Sequence, residues 1–327
     1  MSTGRDFTIR AATEEDDTAI VELLCQSLGW ENDDRHRALF TWKHRTNPVG
    51  PSPGWVAVDD QGVIGFRTFM HWGFRLGSDR VTAVRAVDTA THPRARGRGI
   101  FRTLTMHAIA EMSAGGVGWV FNTPNDQSAP GYLSMGWRRV GHLRVALRPA
   151  GIRVLPKMVA SRQPGDLWSV STTVAEDAMA VLGETETLAG LIGQGPSTGR
   201  VRTDRSPEYL KWRYGSSPVG YRALLAGKSV EDGLIFFRLR RRGAATEAVI
   251  ADVLMPSGAV EPSGRLYQQI LTASGADYLV AIGSHRPKTW LPLPGRGPLL
   301  TWRALSAEGD PPPIDRWDLT AGDVELF

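Results

Sequence analysis

The sequence predicts a mixed α/β fold built as two related domains in tandem, and three observations carry that reading. The chain has 327 residues, more than one hydrophobic core usually organises, and enough for two cores of ordinary size. Stretches with the period of a strand alternate along it with stretches at helical spacing. Finally, Leu-Phe-Thr-Trp-Lys-His-Arg-Thr-Asn-Pro-Val-Gly at 39–50 is matched by Tyr-Leu-Lys-Trp-Arg-Tyr-Gly-Ser-Ser-Pro-Val-Gly at 209–220. Trp, a basic residue and Pro-Val-Gly recur at a constant offset of 170. Strand, turn and strand follow each copy, at 55–58 and 63–72 and again at 221–226 and 233–239, so the period is one of whole domains.

In the first copy, residues 7–11 read as a strand and 14–28 as a helix, with Thr13 at its N-cap. Residues 34–44 give a second helix, and Asp59-Asp60-Gln61-Gly62 a hairpin turn. A strand over 82–91 leads through a glycine-rich turn to a helix over 100–112, where Ile100, Phe101, Leu104, Ala108, Ile109 and Met112 form one apolar face. The apolar run Gly118-Trp119-Val120-Phe121 is a further strand, and 138–147 is expected to close the sheet. Three prolines and two glycines over 148–166 mark a linker. The predicted division is therefore a first domain at 1–150, a linker at 151–166 and a second domain at 167–327. In the latter, helices are expected over 173–192 and 266–274, and strands over 246–255, 278–282 and 299–305.

Composition excludes several function classes. Hydrophobic content of 42% and charged content of 22% are those of an ordinary globular protein. No apolar run reaches 18 residues, so no membrane helix is expected, and Met1–Asp6 opens without an apolar signal core, which predicts a cytoplasmic protein. The single cysteine, Cys25, rules out an internal disulfide and reads as a packing residue. The seven histidines have no metal-ligand spacing, so no metal is expected, and no Gly-x-Ser-x-Gly elbow points to an acyl-enzyme. Net charge is +4, a balance that steers anionic ligands without demanding nucleic acid. The basic run Arg238-Leu239-Arg240-Arg241-Arg242 reads as a solvated hairpin turn.

The chemistry concentrates at Gly97-Arg98-Gly99-Ile100, between a strand and a helix. Such a turn presents backbone N–H groups and the positive end of the helix dipole to an anion, with no Cβ in the way. The Gly-Lys-Ser/Thr ending of a Walker loop is absent, and the turn comes too late in its domain for a dinucleotide fingerprint. The segment Thr91-His92-Pro93-Arg94-Ala95-Arg96-Gly97-Arg98-Gly99-Ile100-Phe101 resembles the acyl-CoA loop of the GNAT superfamily of N-acyltransferases, Gln/Arg-x-x-Gly-x-Gly/Ala. Arg94-x-x-Gly97-x-Gly99 is the literal match. The spacing from Pro93 favours Arg96-x-x-Gly99-x-Phe101, in which Phe101 replaces the final small residue. Asn122 and the segment from Asn125 to Trp137, with Tyr132-x-x-x-Gly136-Trp137, resemble the family's later motif, in which a short helix presents a tyrosine to the CoA sulfur.

The resemblance implies two GNAT-like domains, each a mixed, mostly antiparallel central sheet flanked by helices, with central strands that splay apart for the pantetheine. It implies acetyl-CoA or another acyl-CoA as co-substrate. Backbone groups of Ala90 and Thr91 would face the pantetheine, the amides of Gly97, Arg98, Gly99, Ile100 and Phe101 the pyrophosphate, and Arg96 and Arg98 would add charge. Tyr132 is the expected general acid, and Asn125 a residue that orients the cofactor or a water. Asp88, three residues before Thr91, is the favoured base, with His71 on the preceding strand its rival. In the second copy the corresponding turn runs from Pro256 to Gly264, lacks the glycine pattern and carries Glu261 where an anion would sit. A degenerate second domain lining the acceptor cleft follows. The expected activity is transfer of an acyl group, most simply acetyl, to a primary amine of a small molecule, with neither membrane nor nucleic acid as partner. Transfer from aminoacyl-tRNA and a non-enzymatic acyl-CoA sensor are the alternatives.

Overall fold

A computed structural model describes residues 6–161, 163–193, 199–258, 262–306 and 309–325. Two compact units organise the chain, and they draw on it differently from a contiguous division at 150 and 167. The first takes the chain up to Phe74, Val81–Val140 and Leu299–Pro311; the second takes Arg75–Arg80, Gly141–Pro298 and the chain from Pro312.

The first unit contains strands β1 (Thr8–Ala11), β2 (Gly54–Asp59), β3 (Gly62–Leu76), β4 (Asp79–Thr91), β5 (Trp119–Asn122) and β6 (Arg138–His142). Its helices are α1 (Asp17–Leu28), α2 (Asp34–His44), α3 (Ile100–Ala114) and α4 (Ala129–Ser134). Sheet order runs β1, β2, β3, β4, β5, then the late strand Leu299–Ala304, then β6. β4 and β5 are parallel, joined by the crossover through α3 that parallel strands require. Thr13 and Asp16 form the predicted cap as a capping box, although a 3-10 turn at Glu14–Asp16 precedes the α-helix proper. One face of the sheet packs Ile20, Val21 and Leu24 of α1 with Val56, Phe66 and Ala90. The other packs Ile100, Leu104 and Ala108 of α3 with Ala57, Phe69 and Val84. Gly65 allows that approach, since a Cβ there would come within 2.4 Å of Ile100.

The second unit repeats the order. Glu176–Asp177, Arg222–Leu225, Leu234–Arg242, Ala245–Leu254, Tyr278–Ile282, Val145–Pro149 and Leu291–Pro292 lie side by side. Ala245–Leu254 and Tyr278–Ile282 are again the parallel pair, with the helix Gly264–Ser274 between them in sequence. Two expectations change. The predicted closing strand 138–147 is two elements, β6 in the first sheet and Val145–Pro149 in the second, where it pairs with Tyr278–Ile282. In return Leu299–Ala304 pairs with β5 in the first sheet. Each sheet thus takes its sixth strand from the other half of the sequence.

Further differences are local. Residues 173–192 form no single helix, because Gly183 separates Ala178–Val181 from Thr185–Gly193. The linker region holds a short helix, Leu155–Ala160. The basic run is not a solvated turn: Arg238 is fully buried and pairs with Glu325, while Arg240 pairs with Glu247 and Glu325 inside the strand. Glu261 lies outside the described residues.

Candidate active site

The predicted anion loop forms a helix N-terminus whose backbone is left open. Gly97 and Gly99 have φ of +81° and +72°, the left-handed region that glycine occupies without strain, and Gly99 is the N-cap of α3. A Cβ at either would meet nothing within 4 Å, so backbone conformation rather than crowding demands glycine here. The first bond of the helix runs from the Thr103 amide to the Gly99 carbonyl. Among the described residues, no protein group accepts from the amides of Gly97 to Phe101, which leaves a run of donors for an anion.

The arginines divide. Arg94 makes a two-pronged bond to Asp59, at 2.6 and 2.8 Å, which holds that carboxyl far below its usual range. Arg98 reaches Asp59 at 3.5 Å and the Asp6 carbonyl at 3.1 Å. Arg96 is exposed and its guanidinium donates to no protein group among the described residues, which leaves its charge open to solvent. The departure at Phe101 is accommodated because its ring packs inward, edge-on to Tyr132 at 5.6 Å, while its amide stays open.

Beside this loop the sheet parts. β4 and β5 pair at Val84 with Val120 and at Arg85 with Phe121, where their ladder ends, yet β4 continues to Thr91. Asp88, at φ +35°, marks a bulge. The bulge reverses the strand's alternation. Val84 and Ala86 belong to the α3 side, but Ala90 belongs to the α1 side, and the odd-numbered Thr89 turns toward Tyr132. Asp88 accordingly points to α2, where Lys43 Nζ lies 2.5 Å and His44 Nε2 2.8 Å from its Oδ2.

That placement removes Asp88 as the base. Its side chain is 6% exposed. Burial raises the carboxyl's pKa, but the Lys43 charge and the bonds from His44 and Lys43 outweigh burial and bring it to about 2. A carboxylate so held has little affinity for a proton. The second unit supports the same conclusion, because the repeat keeps the bond from the residue at His44's place to a buried carboxylate, although Arg213 turns to other partners. Arg213 and Tyr214 stand where Lys43 and His44 stand, both fully buried, and the Tyr214 hydroxyl donates to Asp252 at 3.1 Å. A tie kept in the unit that lacks the anion loop belongs to the fold.

The remaining predicted residues are distributed as follows. Tyr132 is 5% exposed, and Arg67 Nη1 donates to its hydroxyl at 2.8 Å. His71 is half-buried, burial lowers its pKa, and its Nδ1 is buried without a partner among the described residues. Thr91 accepts the Ser27 hydroxyl at its carbonyl, at 3.1 Å. Asn125 is exposed and spends its side-chain oxygen on the Ser128 amide at 2.9 Å, capping the approach to α4. Its amide oxygen is thereby committed to structure. A cavity of about 520 Å³ lined by Gly136, Arg138, Trp302 and Arg303 contains none of the predicted site residues. Lys43, Arg67 and Thr89 escaped the motif reading. Arg67 carried a signal nonetheless, since it stands between Gly65 and Phe69 on the inward face of a strand.

The first unit thus brings together a parallel pair whose ladder ends early, an amide-lined helix start and a buried tyrosine beside it. Comparison with known proteins places the unit in a family. Residues 8–140 match the acetyltransferase (GNAT) domain. The chain is similar in structure to a conserved protein of unknown function from Enterococcus faecalis V583 described as a probable N-acyltransferase, at 11% identity and TM-score 0.65, over 91% of this chain and 73% of that one. It is similar to a GCN5-related N-acetyltransferase from Anabaena variabilis, at 16% identity and TM-score 0.58, over 92% and 73%. Eis1 from Mycobacterium abscessus aligns at 15% identity and TM-score 0.55, over 91% and 73%. At these identities the likeness is one of fold. No curated protein matches the sequence. Residues 8–140 thus match the GNAT acetyltransferases, enzymes of acyl transfer whose usual co-substrate is acetyl-CoA. Among the described residues, no helix is long and apolar enough to cross a membrane and no group of side chains has the makings of a metal site.

Proposed function

We propose that this enzyme moves an acyl group, most simply acetyl, from acyl-CoA to a primary amine of a small molecule, by direct attack within a ternary complex. The open amides of Gly97–Phe101 at the start of α3 carry this reading, because they are donors with no protein acceptor at a turn only glycine makes easily. Acyl-CoA, when bound, supplies the activated thioester. The loop amides hold its pyrophosphate and Arg96 adds charge from solvent. The end of β4, freed from β5, offers backbone groups to the pantetheine, with an N–H near Ala90 and Thr91 as oxyanion donor. Tyr132 gives its proton to the departing sulfur. With Asp88 engaged by Lys43 and His44, His71 takes the role of base: burial favours its neutral form, and one ring nitrogen has no partner among the described residues.

Thiol release from acetyl-CoA and longer acyl-CoAs is the test, against amino sugars, aminoglycosides, amino acids and polyamines, with mass spectrometry of the products. Amine-dependent release with a matching acylated product supports the proposal and names the acceptor class. Tight acyl-CoA binding with no product across the panel contradicts it and favours a sensor.

A further inference from the structure

Several of the charges buried among the described residues face a counter-charge. Lys43 faces Asp88, Arg205 faces Asp252 and Asp323, and Arg238 faces Glu325. Arg213, also fully buried, is met by the Tyr221 hydroxyl and the carbonyls of Gly322 and Glu325. Arg67 is fully buried and faces no carboxylate among the described residues. Its hydrogen bonds all leave from one nitrogen, Nη1, to the hydroxyls of Thr89 and Tyr132. Nε and Nη2 are buried with no acceptor. Three aromatic rings surround the guanidinium instead, Phe69 at 4.3 Å, Tyr132 at 5.3 Å and Phe101 at 5.9 Å from Cζ to ring centroid. Arg213 has its donors met by oxygen acceptors, whereas Arg67 leaves two nitrogens unmet among the described residues, a cost that a fold tolerates where the missing charge arrives by another route.

We propose that Arg67 is the positioning residue for Tyr132, and that the missing anion is the one generated at the phenol during acyl transfer. The inference rests on the reading of Tyr132 as general acid. An arginine has donors only. By donating to the tyrosine oxygen it occupies an acceptor site there, and it cannot receive the phenolic proton, so that proton must be presented elsewhere. In the reaction the amine nitrogen forms a bond to the thioester carbon as the carbon–sulfur bond breaks. The phenolic proton passes to sulfur, leaving free thiol and a phenolate. The proton lost by the amine later restores the phenol. The guanidinium stays protonated throughout and faces the phenolate across 2.8 Å in a site walled by aromatic rings, where a charge interaction is stronger than in water. Thr89 shares the same Nη1. The bulge at Asp88, which turns Thr89 to this side, therefore sets the position of the acid as well as opening the sheet.

The test is a double-mutant cycle between Arg67→Lys and Tyr132→Phe, with Arg67→Gln in parallel. The readout is enzyme-dependent thiol release from acetyl-CoA with hydroxylamine as a surrogate nucleophile. Acetyl-CoA binding is followed by calorimetry. Arg67→Gln should lower kcat about a hundredfold, the loss expected for one preorganised donor, with KM for acetyl-CoA nearly unchanged. Arg67→Lys should recover part of that loss, and the alkaline limb of kcat should move upward in Arg67→Gln. In a Tyr132→Phe background neither change should matter, because the two residues act as a unit. If Arg67→Gln does not fold, Arg67→Lys carries the test, since it keeps the charge but loses the planar group that lies over the Phe69 ring and holds Nη1 against the two hydroxyls. Multiplicative losses, or an unshifted alkaline limb with full activity in the lysine variant, overturn the proposal while leaving Tyr132 as the acid. Full turnover in Tyr132→Phe alone, or no enzyme-dependent release from the unaltered protein, overturns the underlying reading instead.

Discussion

Replacing Asp88 by Asn separates a structural carboxylate from a catalytic one. The substitution keeps the shape and removes the charge that faces Lys43, whose side chain has no exposure, at 2.5 Å. Stranding one member of a buried pair costs about 3–5 kcal/mol, because the other remains charged in a poor solvent or must lose its proton. Burial already lowers the pKa of both Lys43 and His44, so the figure rests on the stranded ammonium and not on the carboxyl alone. At roughly 3 °C per kcal/mol for a unit of this size, the melting midpoint should fall by about 10 °C. The sign of the pH dependence follows from the depressed carboxyl. Its contribution is complete above its unfolded value of 3.8 and is lost as the pH falls toward about 2, a loss the Asn variant should not share. The assay pairs thermal melts from pH 2 to 7 with kcat/KM measured on the folded fraction. Asp252→Asn in the second unit should destabilise in the same way, since Asp252 is fully buried against Arg205 and Tyr214. An Asp88→Asn protein with an unchanged midpoint and a kcat/KM lowered a hundredfold or more would refute the reasoning and return Asp88 to the role of base.

Two further substitutions examine the loop. Gly99→Ala forces a side chain into φ +72°, at a cost of about 1–2 kcal/mol. It should raise KM for acyl-CoA more than it lowers kcat, as steady-state kinetics and a melt will show together. Arg96→Ala should leave the melting midpoint unchanged and raise KM for acyl-CoA roughly fivefold at low salt, with the difference shrinking as ionic strength screens the charge. Arg98→Ala should raise it less, because Arg98 is already engaged by Asp59 and the Asp6 carbonyl.

The parts of this fold that local patterns determine were legible. Helix α3 and its glycine entry stand where spacing and turn chemistry put them, and Tyr132 lies on the short helix that the resemblance implied. The repeated Trp and basic residue mark a real structural tie, with Lys43 and Arg213 both fully buried. Features that depend on distant partners were not legible. Alternation in Val145–Pro149 and Leu299–Ala304 says which side chains face inward, but not which sheet the strand joins, so the exchange between units stayed hidden. In sequence, Asp88 is read from its distance to Thr91, which does not show that its side chain meets Lys43 and His44 of a distant helix. The basic run was misread because its counter-charges, Glu247 and Glu325, come later in the chain. Arg67 belongs to no motif, and its bond to Tyr132 joins segments 65 residues apart.

The most direct measurement is Tyr132→Phe, read by calorimetric acyl-CoA affinity and by single-turnover acyl transfer on the same preparation. The proposed mechanism predicts affinity within twofold of the unaltered enzyme and a transfer rate lowered about a hundredfold or more, the scale of losing a general acid. Unchanged transfer in the phenylalanine variant would contradict it.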